Sequence, residues 1–374
     1  LLSSAISIIF LILILKRKIY NEYKNYFIFL YSLIFFLVIN LIFSINPYVS
    51  AQSSLSFLRY YFFFLAILYS LNSINNFRLI FTRILFVAVL FVIIDSYIQY
   101  FFNKDIFGYP SLNSRLTGPF GSEKVVGAYI SKLIFLSFSF LIIKKINIRY
   151  ICLIAIIALT LIILSNERSS SIMFATSMLL FLTFCQVRLL FKFAILSFVL
   201  IFLSLLLNYN TQLKERFINE PAKYFKDNHH KAHFLTAIEI FKDNKIAGSG
   251  IKTFRVVCHN KKYENIKSIY YKDRCTTHPH NLYLEIISET GILGILIIIS
   301  VNIYIAYQLT RGFFTKTKFR NEIFIIFFNF FILFWPLQTT GSFFSSWNGV
   351  FYWLFFAFFF DFKKNILTKK PIQM

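Results

Sequence analysis

The string C-T-T-H-P-H-N-L-Y-L-E-I-I-S-E-T-G-I-L-G, Cys275 to Gly294, concentrates acid–base side chains at one boundary of the chain. It closes a polar segment of roughly 75 residues and opens a long apolar run, a boundary at which membrane-enzyme sites can sit. His278 and His280 stand just ahead of the apolar run. Imidazole is the side chain whose ordinary pKa suits proton transfer near neutral pH. Glu285 and Glu289 follow at i,i+4 spacing and share a helix face. They are expected to orient the His280 ring, to cap the helix, or to pair with lysine. Gly291 and Gly294 are expected to let the helix pack closely against a neighbour. A helix entering a bilayer can be capped without two His and two Glu, so the string reads as a site. The turn at Pro279 is expected to point His278 away from His280, leaving His280 as the base.

A base needs an electrophile, and the other chemistry-bearing residues are mostly cations. Arg168 lies in the short turn S-N-E-R-S-S, where its planar fork and the neighbouring serines suit a diphosphate. Arg115 belongs to the Gly- and Pro-rich string R-L-T-G-P-F-G-S-E, which turn chemistry alone does not require. Arg59, in S-F-L-R-Y-Y, is expected near the outer end of an apolar run, where it snorkels or binds an anion. Asp95 and Gln99 share one face of another run. A carboxylate there is a site candidate by default, with pairing to Arg59 as the structural alternative. His229, His230 and His233 open the run A-H-F-L-T-A-I-E-I-F, which reads as a surface-lying helix with Phe234, Ala237, Ile238 and Phe241 on its apolar face. A metal cluster of these with His278 and His280 has no close ligand pattern behind it.

These residues must be positioned by a chain that is 57% hydrophobic and 20% aromatic, with 51 Phe in 374 residues. No soluble domain hides so much apolar surface, so the fold class is an all-α polytopic membrane protein. The net charge of +23 then reads first as a topology signal, and nucleic acid is not an expected partner. About eleven spans are expected: 1–15, 25–45, 55–71, 79–102, 125–143, 150–164, 171–187, 190–207, 284–308, 323–338 and 343–360. The chain begins inside an apolar run at Leu1, so a further span upstream, twelve in all, is expected. Residues 1–207 thus form the first eight helices, 208–283 a large loop, and 284–374 the last three helices with a basic tail.

Alternate short loops and the tail carry 19 Lys and Arg, among them Lys16, Arg78, Lys144, Arg188, Arg311 and Lys363. The intervening short loops hold only Lys104, Arg115, Lys124 and Arg168. The positive-inside rule puts the first set in the cytoplasm and the 208–283 loop outside. That loop carries 14 Lys and Arg against seven Asp and Glu, a balance that attracts an anionic partner or lipid headgroups. Cys152 and Cys185 fall in spans and read as packing residues. Cys258 and Cys275 fall outside, where an even pair reads as a disulfide. Zinc held by both with His259 and His278 is the alternative.

The chain resembles the O-antigen ligase/polymerase superfamily of bacterial membrane glycosyltransferases. The resemblance rests on the many spans, the one large outer loop, H-N-L-Y-L-E-I-I-S-E-T-G-I-L-G, and the upstream I-F-K-D-N-K-I-A-G-S-G-I-K-T-F-R. G-P-F-G-S-E-K-V-V-G-A-Y and S-N-E-R-S-S fit it too. It implies a helical, C-type glycosyltransferase that works without cofactor or metal in the inner membrane, its site facing the periplasm. The donor would be a glycan on polyprenyl (undecaprenyl) diphosphate. The acceptor would be lipid A–core for a ligase, giving lipopolysaccharide, or a second lipid-linked glycan for a polymerase. By their motif context, His280 takes the place of the family's loop histidine and Arg168 that of its outer arginine. Where a second family arginine usually precedes the loop helix, this chain has His230 and Lys231, so Lys231 or Arg255 is expected to supply the charge. Asn281, Glu285 and Glu289 complete the expected substrate-binding set with Arg59 and Arg115. A transporter with Asp95 and Arg59 in its pathway is the competing class. Against it, the sequence shows no repeated halves, and its polar residues gather on one side.

Overall fold

The computed structural model describes residues 2–17, 23–112, 115–184, 187–223, 227–314 and 320–367. Cys185, Lys18, Lys316, Lys318, Lys369 and Lys370 lie outside them. The described residues form helices and two isolated bridges, with no strand. The long helices are α1 (Leu2–Arg17), α2 (Lys24–Ile42), α3 (Pro47–Ser73), α4 (Phe77–Phe102), α5 (Val126–Ile143), α6 (Ile148–Leu164), α7 (Arg168–Phe184) and α8 (Leu189–Tyr209). After the loop helix α9 (His229–Asp243) come α10 (Leu282–Phe314), α11 (Arg320–Phe334) and α12 (Ser346–Leu367). Each apolar run of the sequence is matched by one of these helices. Six of them, α2, α3, α4, α5, α8 and α10, are long and apolar enough to cross a membrane. The protein is a multi-pass membrane protein.

The chain divides into two compact units. The first comprises Leu1–Ile74, Lys226–Gln308 and Pro336–Lys369. At its centre α3 packs against α1 and α12. Phe57, Tyr61, Phe64 and Trp353 interlock there with ring centroids 5.6–5.8 Å apart, the spacing of edge and tilted aromatic pairs. The second unit comprises Asn75–Phe225 and Leu309–Trp335, with Lys370–Met374 beyond the described residues. Here α5 is central, packed by α4, α6, α7 and α11, with Phe135 touching Phe174 of α7 and Phe328 of α11.

Two expectations about helix ends change. Asn46 caps α3, accepting from the Val49 amide at 3.2 Å, and Pro47 follows at the position where a missing N–H costs nothing. The helix therefore starts two turns before 55, and Arg59 lies three turns inside it instead of near its outer end. There Arg59 reaches the hydroxyls of Tyr60 and Ser346. In α10, Gly291 takes φ 65° and ψ −159°, so the element is two helices joined at a break.

Candidate functional site

The break at Gly291 positions the histidines. The G-S-G string after α9 inserts into it. Ser249 and Gly250 donate to the carbonyls of Ser288 and Glu289 at 3.0 Å, and Ile292 donates to Lys245 at 2.8 Å. A Cβ on Gly291 would strike the Ile246 carbonyl, and one on Gly248 would strike the Glu289 backbone. Both glycines have positive φ, so the string is fixed by close backbone approach as well as by turn geometry. Gly294 faces Thr290 and Ile286 of its own helix, so it makes room within α10 and not for a neighbour. Asn40 of α2, fully buried, closes the junction by donating to Ala247 and Glu289 and accepting from Ile251.

The two glutamates work as anchors for loop backbone. Glu289 accepts from the amides of Lys252 at 2.6 Å and Phe254 at 3.1 Å. Glu285 accepts from the Ser342 hydroxyl and, at 2.7 Å, from the Phe343 amide. Both side chains are buried, and their hydrogen bonds go to these groups and not to His280. Asn281 is also structural: its oxygen caps α10 at Tyr283 and Leu284, and its amide donates to the carbonyls of Pro336 and Gln338.

Four imidazoles converge above this frame. His280 adopts φ 59°, a left-handed conformation rare for a residue with a side chain. Its carbonyl accepts from Thr340 at 2.8 Å. Its ring lies 4.2 Å from that of His278, 5.2 Å from His230 and 5.3 Å from His233. His278 is thus against His280, contrary to the expectation from Pro279. The left-handed turn at His280 brings the two rings back together. His278 is held at both nitrogens, by the Thr277 hydroxyl at 2.9 Å and the Thr340 carbonyl at 3.1 Å. His280 has one long contact, 3.5 Å to the Thr276 hydroxyl. On α9 the buried face is Ala232, His233, Thr236, Ala237 and Ile240, while Ile238 is exposed. The helix is present as expected, but rotated so that His233 faces inward.

Burial lowers His278 to about 4, assisted by Arg255 and Lys252, and burial with the neighbouring imidazoles lowers His280 to about 3. Both rings are therefore neutral at pH 7 and can accept a proton. Lys231 is tied up locally, with its amide capped by Asn228 and its ammonium 3.9 Å from Asp227. Arg255 is exposed.

The second unit has its own cluster. Arg168 opens α7, with Glu220 at 3.6 Å and the Arg216 carbonyl at 3.5 Å. Arg216 holds Glu220 at 2.5 Å. Arg115 joins them closely enough for the three guanidiniums to repel one another. Glu167, buried beside Arg168 in sequence, accepts from the Gly127 and Ala128 amides and so seats the start of α5. Three forked cations against two carboxylates leave this cluster with a positive balance. Arg216 has no distinguishing context in the sequence, where it is one of 14 basic residues of a mixed loop. Asp95 accepts from the Ile106 amide, and Gln99 holds Thr117 and Gly118. This face of α4 therefore anchors the 103–125 loop that carries Arg115, which weighs against Asp95 as a transport residue.

A family model described as O-antigen ligase matches residues 153–299. The match covers under half of the chain and makes that stretch similar to the O-antigen ligase family. A search of curated proteins returned no match. The matched stretch contains Arg168, Arg216, all six histidines, Glu285, Glu289 and the break at Gly291.

The structure joins Cys258 to Cys275, with Cα atoms 5.3 Å apart. The bridge packs on the loop's own small core of Ala237, Ile240, Phe254, Val257 and Tyr263. Arg274, nearly buried, donates to the Cys258 carbonyl and to Glu264. Among the described residues, the one group whose ligand atoms all converge within 4.8 Å is Cys258, His259 and Cys275. The four clustered imidazoles do not meet that condition. Thiol labelling without reductant distinguishes bridge from metal site. A bridge leaves both cysteines unlabelled in metal-free protein, whereas a metal site leaves them reactive once a chelator has removed stoichiometric zinc.

A pH profile reads the histidines. Because both folded values lie below the ordinary 6.5, the rings stay neutral through the range in which an exposed histidine protonates. The acid limb of kcat/KM is therefore expected well below pH 6.5, falling towards 4. Stability follows with the same sign. The unfolded chain takes up protons below about 6.5 and the folded loop does not, so stability falls as pH drops from there towards 4.

Proposed function

We propose that the protein transfers a glycan from a polyprenyl diphosphate carrier to an acceptor sugar at the outer face of the inner membrane, as an O-antigen ligase acting on lipid A–core. The observation that supports it most is the lightly bonded His280, which lies in the family-matched stretch and is held by a backbone frame. His280 takes the proton of the acceptor hydroxyl as that oxygen attacks the anomeric carbon. The bond from that carbon to the carrier's diphosphate oxygen breaks, and the diphosphate leaves as an anion. Arg168, Arg216 and Arg115 stabilise that anion, Arg168 and Arg216 exchanging their contacts with Glu220 for phosphate oxygens. No metal enters this scheme. His278 holds the His280 ring, and Glu285, Glu289 and Asn281 hold the backbone beneath it.

The test is transfer by purified protein in detergent, with a polyprenyl diphosphate-linked glycan and either lipid A–core or a second lipid-linked glycan as acceptor. Product on lipid A–core supports the ligase; chain extension alone makes the protein a polymerase; no transfer with either overturns the reading. Orientation is tested separately. A reporter fused near Asn228 is expected to be active only when exported, and cytoplasmic labelling there would overturn the outward-facing site.

A further inference from the structure

A cavity of about 490 Å³ lies in the first unit, and none of the histidines or of the residues that frame them lines it. Its walls are aromatic and aliphatic, including Phe29, Phe64, Val301, Trp353 and Phe360, and its mouth carries Lys363 and Lys364. The lining comes from the start of α2, Phe64 of α3, the second half of α10 and the middle and last turns of α12, and its lysines lie at the helix ends that the positive-inside rule assigns to the cytoplasm. Lys363 donates to the Tyr304 hydroxyl and sits over that ring, 4.9 Å from its centroid, so its ammonium is steered to the rim. Lys364 reaches Asn72 at the end of α3. Asp361, two and three residues before them in α12, is buried.

We propose that this cavity binds an anionic phospholipid of the surrounding leaflet. An acyl chain would lie among the aromatic rings, and the phosphate would sit at Lys363 and Lys364. Charge complementarity identifies the occupant. An aliphatic or aromatic small molecule would satisfy the walls but offer no charge to the two ammoniums at the mouth, and a free phosphate would meet the ammoniums but leave the walls in contact with water. A chain joined to a phosphate matches both, and basic pockets between helices at this side of a bilayer are suited to such headgroups. The site is independent of the transfer reaction.

Native mass spectrometry of the full chain, loaded with equal amounts of phosphatidylglycerol and phosphatidylcholine, measures the preference. Each lysine near an anionic lipid contributes about five-fold, so roughly ten- to twenty-five-fold retention of phosphatidylglycerol is expected for the pair. K363Q/K364Q is expected to erase the preference while leaving total bound lipid largely unchanged. Val301→Trp, which fills the cavity from one wall, is expected to lower retention of both lipids and serves if the double variant does not fold. Equal retention of the two lipids by the unmodified protein overturns the proposal. So does a preference that survives K363Q/K364Q, or displacement of bound lipid by millimolar inorganic phosphate alone.

Discussion

His280→Ala is expected to lower glycan transfer by about 10²–10⁴, the usual cost of removing a general base, while the protein still inserts and still binds the lipid-linked donor. A base acts on the acceptor proton in the transition state and adds little to donor binding, so the loss falls on kcat more than on KM. Folding should survive, because the His280 backbone, not its ring, accepts from Thr340. Alanine does inherit the positive φ, so His280→Asn, which tolerates that conformation better, is the companion variant. His278→Ala is not a silent control. Its ring lies 4.2 Å from that of His280 and is held by Thr277 and Thr340, so its removal frees the His280 ring. A milder loss of kcat is expected, together with an acid limb that moves towards the ordinary histidine value. Near-normal transfer by both His280 variants at normal protein level would remove His280 as the base.

The helical framework was legible because membrane spans declare themselves by length and apolarity, and each expected run became a helix. The string from His278 to Gly294 stands out as a candidate site because ionisable groups at the entry to a membrane span are costly unless used or paired. What each residue does there was less legible, since it depends on backbone geometry that composition does not carry. Glu285 and Glu289 look like partners for a catalytic ring, yet they accept from Phe343, Lys252 and Phe254 amides brought from distant parts of the chain. Pro279 implies a turn that separates two histidines, and the left-handed His280 reverses it. On α9 hydrophobicity marked Ile238 as inward, but the helix buries the smaller Ala232, Thr236 and Ala237 so that it can lie close to its support. Arg216 carried no local signal. Its place beside Arg168 and Glu220 exists only once the chain after α8 turns back, with Asn210 capping the short helix that begins at Thr211.

Arg168→Ala is expected to weaken donor binding and to lower transfer strongly, on the order of 10²-fold or more for loss of an anion-stabilising group. Arg168→Lys separates charge from geometry. A lysine keeps the positive charge but is a single compact ammonium and cannot make the paired N–H contacts of a guanidinium with phosphate oxygens. It is therefore expected to retain much of the donor binding and still transfer poorly. Arg216→Ala should resemble Arg168→Ala in direction, because Glu220 is shared between the two and would then pair fully with Arg168. Removing that competitor in the same background makes the argument specific: R216A/E220Q is expected to recover part of the donor binding that Arg216→Ala loses. Donor affinity is read with a labelled polyprenyl diphosphate and transfer with the unlabelled glycan-bearing donor. If Arg168→Ala bound the donor normally and transferred at a normal rate, the three-arginine cluster would be a structural ion network, and the leaving diphosphate would have to be stabilised elsewhere.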